Sequence, residues 1–191
     1  ILLVSFIALG EILKACDTEP STSYYSVGDY YDDGTKQGVV FQVWDDGRHG
    51  KIVSLDQEKL QWCTTAQYDK GIVVGASSKS DGWANTDAIM SRLDSAEYPA
   101  FAWCRAKGDE WYLPAIDELR IFLLDDSVHN AVNRTLKQQD ATMLSAAGVI
   151  ELYWSSTEKD EFCAWYAHMN DGYASRGNKL YYSYVCAVSA F

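Results

Sequence analysis

Apolar residues recur at helical spacing in the middle of the chain. Ile116 and Leu119 lie on one face of a segment that begins near Pro114, whose fixed φ suits the first turn of a helix. The preceding segment, residues 98–107, has a proline at its start and is followed by Gly108, a residue typical of helix caps. The pattern therefore predicts one helix within residues 98–107 and a second starting near Pro114.

Alternation of apolar and polar residues predicts β-strands on both sides of these helices. Residues 39–44 and 51–55 are predicted to form a hairpin, because residues 45–50 between them are rich in Asp and Gly. Residues 164–170 send alternate side chains to two faces, and residues 180–191 are predicted to form a final strand. Strands and helices therefore combine in one domain.

The predicted helices need a sheet to pack on. We expect this sheet to include residues 164–169 and 184–190. Trp111 and Trp165 lie on the apolar side of the pattern and are expected to be largely buried. A further helix is predicted over residues 128–139.

The first ten residues are an apolar run with the length of a signal-peptide core, too short for the ~20 residues that span a bilayer. The sequence Leu-Lys-Ala-Cys at residues 13–16 is similar to a bacterial lipobox. We therefore interpret residues 1–16 as a truncated lipoprotein signal peptide with Cys16 as the lipidation site. Residues 17–26 are then a polar tether. A buried N-terminal helix with an ordinary cysteine is the alternative.

Composition assigns the rest of the chain, residues 27–191, to one well-packed domain. The protein has 191 residues, 14% of them aromatic, which is not the composition of a disordered chain. The net charge of -11 argues against nucleic-acid phosphates as a partner and suits an exported domain.

The sequence carries no pattern typical of a catalytic or metal site. The histidines, His49, His129 and His168, lack metal-ligand spacing, and the Asp-rich turns lack the ligand count of an EF-hand. Phosphate-loop, dinucleotide and nucleophile-elbow patterns are missing. We therefore predict no enzyme activity, no metal and no cofactor.

Four cysteines lie within the predicted domain: Cys63, Cys104, Cys163 and Cys186. In an exported protein they allow three disulfide arrangements, and sequence does not choose among them. A bond between Cys104 and Cys186 is one option. Free thiols are equally open.

The C-terminal segment, residues 153–191, carries 6 of the 13 tyrosines. Tyr supplies contact area at low entropic cost, and Ser and Asn supply adaptable hydrogen bonds, as in antibody paratopes. A solvated β-face with half-buried Tyr is the alternative. We predict ligand binding by Glu161, Phe162, Tyr166, His168, Asn170, Tyr173, Ser175, Arg176, Tyr181, Tyr182, Ser183 and Tyr184.

An ordered set of motifs resembles one family, the Lcl-type C-terminal domain, a domain of unknown function in exported proteins of gut bacteria. The resemblance implies an α+β, C-type-lectin-like fold of the kind used by formylglycine-generating enzymes. Two main helices and a small twisted, mainly antiparallel sheet are expected. The motifs lie at residues 27–31, 38–41, 49–55, 103–104, 111–114, 118–119, 153–158, 164–165 and 185–191.

The C-terminal segment also resembles the variable region in target proteins of diversity-generating retroelements. In those proteins, mutagenesis directed at adenines rewrites chosen codons within a fixed C-type-lectin scaffold. Residues typical of that scaffold are present here at Trp154, Trp165, Gly172 and Val185. Most residues between these positions are of the types that this mutagenesis produces: Tyr, Ser, Asp, His, Cys, Gly, Arg and Phe.

The resemblance implies a surface-exposed bacterial lipoprotein that binds a protein or glycan ligand on another cell, a phage or a host surface. The lipobox-like sequence at residues 13–16 predicts a lipid anchor in the cell envelope, at the outer membrane. The alternatives are a non-variable adhesion or carbohydrate-binding module of the same fold, and an enzyme of the formylglycine-generating type. A protein ligand favours a broad Tyr-rich face, and a sugar favours one concave aromatic-lined site.

Overall fold

A computed structural model describes residues 24–169 and 171–191. The predicted signal peptide, the lipidation site Cys16 and most of the tether lie outside the described residues. So does Asn170, one of the predicted ligand-binding residues.

The described chain forms two β-sheets. The four-stranded sheet has the order β1-β2-β3-β9, and the five-stranded sheet has the order β4-β8-β5-β6-β7. Pairing is antiparallel except between β5 and β8, which meet at a single parallel bridge from Tyr153 to Tyr184. The strands are β1 Tyr30–Asp32, β2 Gln37–Trp44, β3 His49–Val53, β4 Glu58–Leu60, β5 Leu152–Glu158, β6 Cys163–His168, β7 Tyr173–Asn178, β8 Ser183–Val185 and β9 Val188–Ala190.

Five α-helices lie within the described residues, so the α+β class is confirmed, with more helices and one more sheet than expected. The helix predicted within residues 98–107 is α3, and that predicted over residues 128–139 is α5. The helices are α1 Thr65–Tyr68, α2 Gly82–Met90, α3 Pro99–Arg105, α4 Ile116–Leu124 and α5 Asp126–Gln138.

Helix α4 begins two residues later than the position of Pro114 predicted. Ala115 is its N-cap residue, and the Glu118 carboxylate accepts a hydrogen bond of 2.7 Å from the Ala115 N–H. A carboxylate in this position satisfies a backbone donor that the helix itself leaves open. Pro114 therefore precedes the helix instead of forming its first turn.

The predicted final strand, residues 180–191, is divided between the two sheets, so the expectation of one sheet was wrong. Strand β8 pairs with β4 and β5, whereas β9 pairs with β3. Between them the Ala187 N–H donates to the Ser54 hydroxyl, and the Ser54 N–H donates to the Ala187 carbonyl. Apolar periodicity identifies both strands as extended, but it does not specify their partners.

Two apolar clusters form the core, one on each side of the sheet layers. Trp111 is buried as predicted, and Trp165 is partly buried and packs against the second cluster. The Lys79 ammonium lies 5.4 Å from the centre of the Trp165 ring. Trp62 and Trp154 have no exposed surface and occupy the core.

The four cysteines of the described chain are free thiols, and three of them are buried. Cys104 Sγ lies 3.9 Å from the Cys186 carbonyl oxygen, not bonded to its sulfur. Burial raises the pKa of Cys63 to about 11 and raises the pKa of Cys104 and of Cys186. Buried thiols of this kind are poor nucleophiles.

None of the helices in the described part of the chain is long and apolar enough to cross a membrane.

The different burial of two tryptophans gives a stability prediction. We expect Trp154→Ala to lower the free energy of unfolding by about 3–5 kcal/mol through cavity formation. Trp165→Ala, at a half-buried position, is expected to lower it by only about 1–2 kcal/mol. Urea denaturation of both variants measures the difference, and equal losses would contradict the placement of Trp165.

Candidate ligand-binding face

A buried ion pair fixes the end of the C-terminal hairpin. Lys179 Nζ donates to Glu158 Oε1 at 2.7 Å, and each side chain is only 2% exposed. The same carboxylate accepts hydrogen bonds from the backbone N–H groups of Val74 and Gly75. The pair therefore joins the end of β5, the turn after β7 and the loop before α2.

Lys179 has two further partners in the interior. Its ammonium donates to the Glu161 carbonyl at 3.1 Å and lies 4.6 Å from the centre of a Trp62 ring. An ammonium over an indole face is a favourable cation–π contact. Lys179 thus links the end of β5 and the turn that follows it to Trp62, in the segment after β4.

The backbone of the turn after β7 is held by hydrogen bonds from two side chains of neighbouring segments. Trp154 Nε1 donates to the Tyr181 carbonyl at 3.1 Å, and Gln61 Nε2 donates to the Leu180 carbonyl at 2.9 Å. Within the turn, the Tyr181 N–H donates to the Asn178 carbonyl. The main chain is fixed, while the Tyr181 ring is 56% exposed.

We call four residues that share one side of the β6–β7 hairpin the aromatic face: Tyr166, His168, Ser175 and Tyr181. Tyr166 lies directly opposite Ser175 in the strand register, so their side chains point to the same side. The Tyr166 and His168 ring centres are 6.4 Å apart. The face is therefore continuous across both strands.

A glycine under the aromatic face explains how its rings lie. A Cβ at Gly177 would come within 2.6 Å of Tyr166 Cε1 and 3.5 Å of Tyr181 Cδ2. The Tyr166 ring therefore covers the bare backbone of Gly177, with Tyr181 beside it. On its inner side Tyr166 meets the edge of the buried Trp154 at 5.9 Å between ring centres. The face thus rests on the core.

Two exposed tyrosines are neighbours of the face, one in the strand register and one in sequence. Tyr173 is opposite His168 in the register and is 71% exposed, and Tyr182 follows Tyr181 and is 68% exposed. His168 Nδ1 lies 2.8 Å from Asp171 Oδ1, and this hydrogen bond lowers the pKa of Asp171. The contact orients the imidazole ring at the end of the hairpin.

Three of the predicted ligand-binding residues lie elsewhere, so the predicted set does not form one surface. Arg176 is opposite Trp165, which places it on the other side of the sheet. Tyr184 stacks on Tyr153 at 5.2 Å between ring centres, also on the other side. Ser183 is buried, because β8 runs inside the sheet between β4 and β5.

Glu161 and Phe162 lie at the start of β6, away from the aromatic face. The Phe162 ring packs against Tyr68 at 5.1 Å between ring centres. The Glu161 carbonyl accepts from Lys179. Their predicted role in ligand binding stays a prediction, and the structure assigns them to a separate patch.

The sequence did not indicate a small cleft next to Tyr173. This cleft, of about 220 Å³, is also lined by Lys79, Arg120 and Trp165. Lys79 comes from a Ser- and Gly-rich segment that sequence patterns identify only as a loop. Within residues 24–169 and 171–191, no group of three His, Cys, Asp or Glu side chains is placed to hold a metal ion.

Comparison with protein families assigns this domain. A family model described as the Lcl C-terminal domain matches residues 51–189. The chain belongs to the Lcl C-terminal domain family. The matched region of this Lcl C-terminal domain begins in β3 and ends in β9, so it includes the aromatic face and the buried ion pair.

One solved structure similar to the Lcl C-terminal domain is a fimbrial protein from Bacteroides ovatus. The TM-score is 0.53 at 19% sequence identity, and the match covers 74% of this chain and 36% of the fimbrial chain. The domain thus spans about a third of that protein's length, and the similarity is one of fold. No curated protein matches the chain.

The ion pair under the face gives a second stability prediction. Lys179→Met leaves the buried Glu158 carboxylate without its counter-charge, and we expect a loss of about 3–5 kcal/mol in the free energy of unfolding. Lys159→Met is the matched control, because Lys159 directly follows Glu158 in sequence but is exposed. Its replacement should change the free energy of unfolding by no more than ~0.5 kcal/mol. Equal unfolding midpoints in urea for the two variants would contradict the structural role of Lys179.

Proposed function

We propose that this Lcl C-terminal domain is a surface-displayed binding protein that contacts a protein ligand through its aromatic face. The observation that carries the proposal is the combination of a fixed backbone with exposed rings at Tyr181, Tyr182 and Tyr173. A backbone that is already fixed loses little entropy on binding. Tyr and His also offer apolar area and polar groups together.

The breadth of the face favours a protein over a small molecule as its ligand. The rings lie on a β-hairpin and an adjacent turn, not around one deep hole, and interfaces between proteins concentrate their binding energy in Tyr, Trp and Arg. The fold similarity to a fimbrial protein supports a surface or adhesive role as part of this proposal.

We further propose that the face is hypervariable, within a C-type-lectin-like scaffold diversified by a retroelement. The residues of the aromatic face, apart from the Tyr166 ring over Gly177, contribute little to the core, so exchange at these positions leaves the fold intact. Trp154, Lys179 and Val185 are buried and hold the sheet together, so substitution at these positions disrupts the fold.

Population sequencing tests this proposal. We expect the codons of His168, Tyr173, Ser175, Tyr181 and Tyr182 to differ among isolates, while those of Trp154, Lys179 and Val185 stay fixed. A near-copy of the coding segment for residues 153–191 should lie near a reverse transcriptase gene. The coding segment for α4 and α5 serves as the control for ordinary polymorphism. A uniform segment without a near-copy would refute variability and leave a non-variable adhesion module.

The proposed location is the outer membrane, through a lipid on Cys16 in the part of the chain that the structure does not describe. Metabolic labelling with a fatty-acid analogue is expected to tag the product of the full-length gene, and Cys16→Ser should abolish the tag. Cys163→Ser is the control, since Cys163 lies within β6. Equal labelling of the wild-type protein and Cys16→Ser would exclude Cys16 as the acceptor.

The proposal is one of binding without catalysis, cofactor, metal or nucleic acid. The acidic net charge of -11 opposes association with a phosphate backbone. In the described chain the buried thiols have raised pKa values, which opposes a nucleophilic role for Cys104 and Cys186.

A further inference from the structure

A second concave site lies outside the aromatic face. It is a cleft of about 570 Å³ between the start of α2 and the strands β3 and β9, and no residue of the aromatic face lines it. A volume of this size is typical of small-molecule sites, which span ~300–1,000 Å³. The side chains that shape it are Lys51, Ser80, Asp81, Trp83, Glu110 and Tyr112.

The floor of the cleft is built on the buried carboxylate of Glu118. It accepts hydrogen bonds from Lys51 Nζ at 2.5 Å and from the Tyr112 hydroxyl at 2.8 Å. Its other oxygen accepts from the N–H groups of Gly82 and Ala115, at the starts of α2 and α4. These four bonds hold both polar side chains in one position.

Only glycine permits this arrangement at the start of α2. A Cβ at residue 82 would lie 2.6 Å from Glu118 Oε2 and 2.5 Å from the Ala115 nitrogen. The close approach brings the first turn of α2, and with it Trp83, to the edge of the cleft. The wall of the cleft is therefore fixed relative to its floor.

Trp83 forms an apolar platform at the cleft. Its side chain is 48% exposed, and among the described residues no aromatic ring or cation stacks on it. Because this indole is exposed at the rim of a concave site, its flat face is available to a ligand. The flat C–H face of a pyranose ring is a well-matched partner for an indole, because C–H groups carry partial positive charge towards its π-face.

The charges around the cleft are nearly balanced. Lys51 is paired with Glu118, and Glu110 is paired with Lys36 at 2.6 Å. The remaining carboxylate, Asp81, caps α2 by accepting from the Ala84 N–H at 2.8 Å. The lining therefore offers fixed hydrogen-bonding groups with a slight excess of negative charge, which disfavours an anionic ligand.

We propose that this cleft binds a short neutral saccharide, with one sugar ring stacked on Trp83 and its hydroxyl groups bonded to the surrounding polar side chains. Hydroxyl groups donate to carboxylates and accept from ammonium groups, so the same lining serves both roles. This site is independent of the proposed ligand of the aromatic face. The domain thus has one broad face for a protein and one concave site for a glycan.

Calorimetric titration of the purified protein tests the proposal. The neutral probes are maltotetraose, cellotetraose, mannotetraose and tetra-N-acetylchitotetraose, and tetragalacturonate and tetralysine are the charged probes. We expect at least one neutral probe to bind, with affinity at least about tenfold weaker in Trp83→Ala. Trp44→Ala is the matched control, because Trp44 is 41% exposed but does not line the cleft. The affinity of this variant for the neutral probe should equal that of the wild-type protein.

A second variant distinguishes a sugar from a cation. Asp81→Asn retains a good helix-cap residue but removes the charge, so neutral-probe binding should weaken less than in Trp83→Ala. In NMR spectra of the wild-type protein, the bound probe should also shift the Trp83 indole N–H resonance. This measurement does not depend on whether any variant folds. Failure of all neutral probes, equal affinity in both tryptophan variants, or binding of a charged probe alone would overturn the proposal.

Discussion

Glu158 and Lys179 carry opposite charges into the interior of the domain, and the position of the aromatic face depends on their contact. Removing a carboxylate and an ammonium from water costs several kcal/mol for each ion, and a short contact with further hydrogen bonds offsets this cost. Here the carboxylate also accepts from Val74 and Gly75, and the ammonium lies over Trp62. Because the pair joins three segments, the turn that carries Tyr181 has one position relative to the sheet.

This arrangement separates the residues that hold the fold from those that face solvent. Trp154 shows the separation most clearly, because its indole N–H holds the backbone at Tyr181 while its ring supports Tyr166. Exposed residues on such a support can change identity at little cost to stability. The cleft at Trp83 is built in a similar way, with the buried Glu118 holding Lys51 and Tyr112 beneath an exposed ring.

Local sequence patterns predicted the elements of the fold better than their arrangement. Helix α3 and the β2–β3 hairpin follow from proline, glycine and apolar spacing, which act within a few residues. Alternation did not reveal that Tyr184 lies apart from the aromatic face, because it assigns side chains to two sides of a strand without showing which side a neighbouring element covers. The cap of α4 by Glu118 and the division between β8 and β9 depend on contacts distant in sequence. The aromatic face was therefore predicted only in part.

The central claim is that the exposed residues at the aromatic face can be exchanged without loss of the fold, because the support beneath them is fixed. A direct measurement is the protease resistance of two libraries displayed on cells. One randomises His168, Tyr173, Ser175, Tyr181 and Tyr182, and the other randomises Trp154, Lys179, Val185 and Ala187. Most members of the first library should resist protease as the wild-type protein does, and most of the second should not. Equal loss of resistance in both libraries would contradict the account.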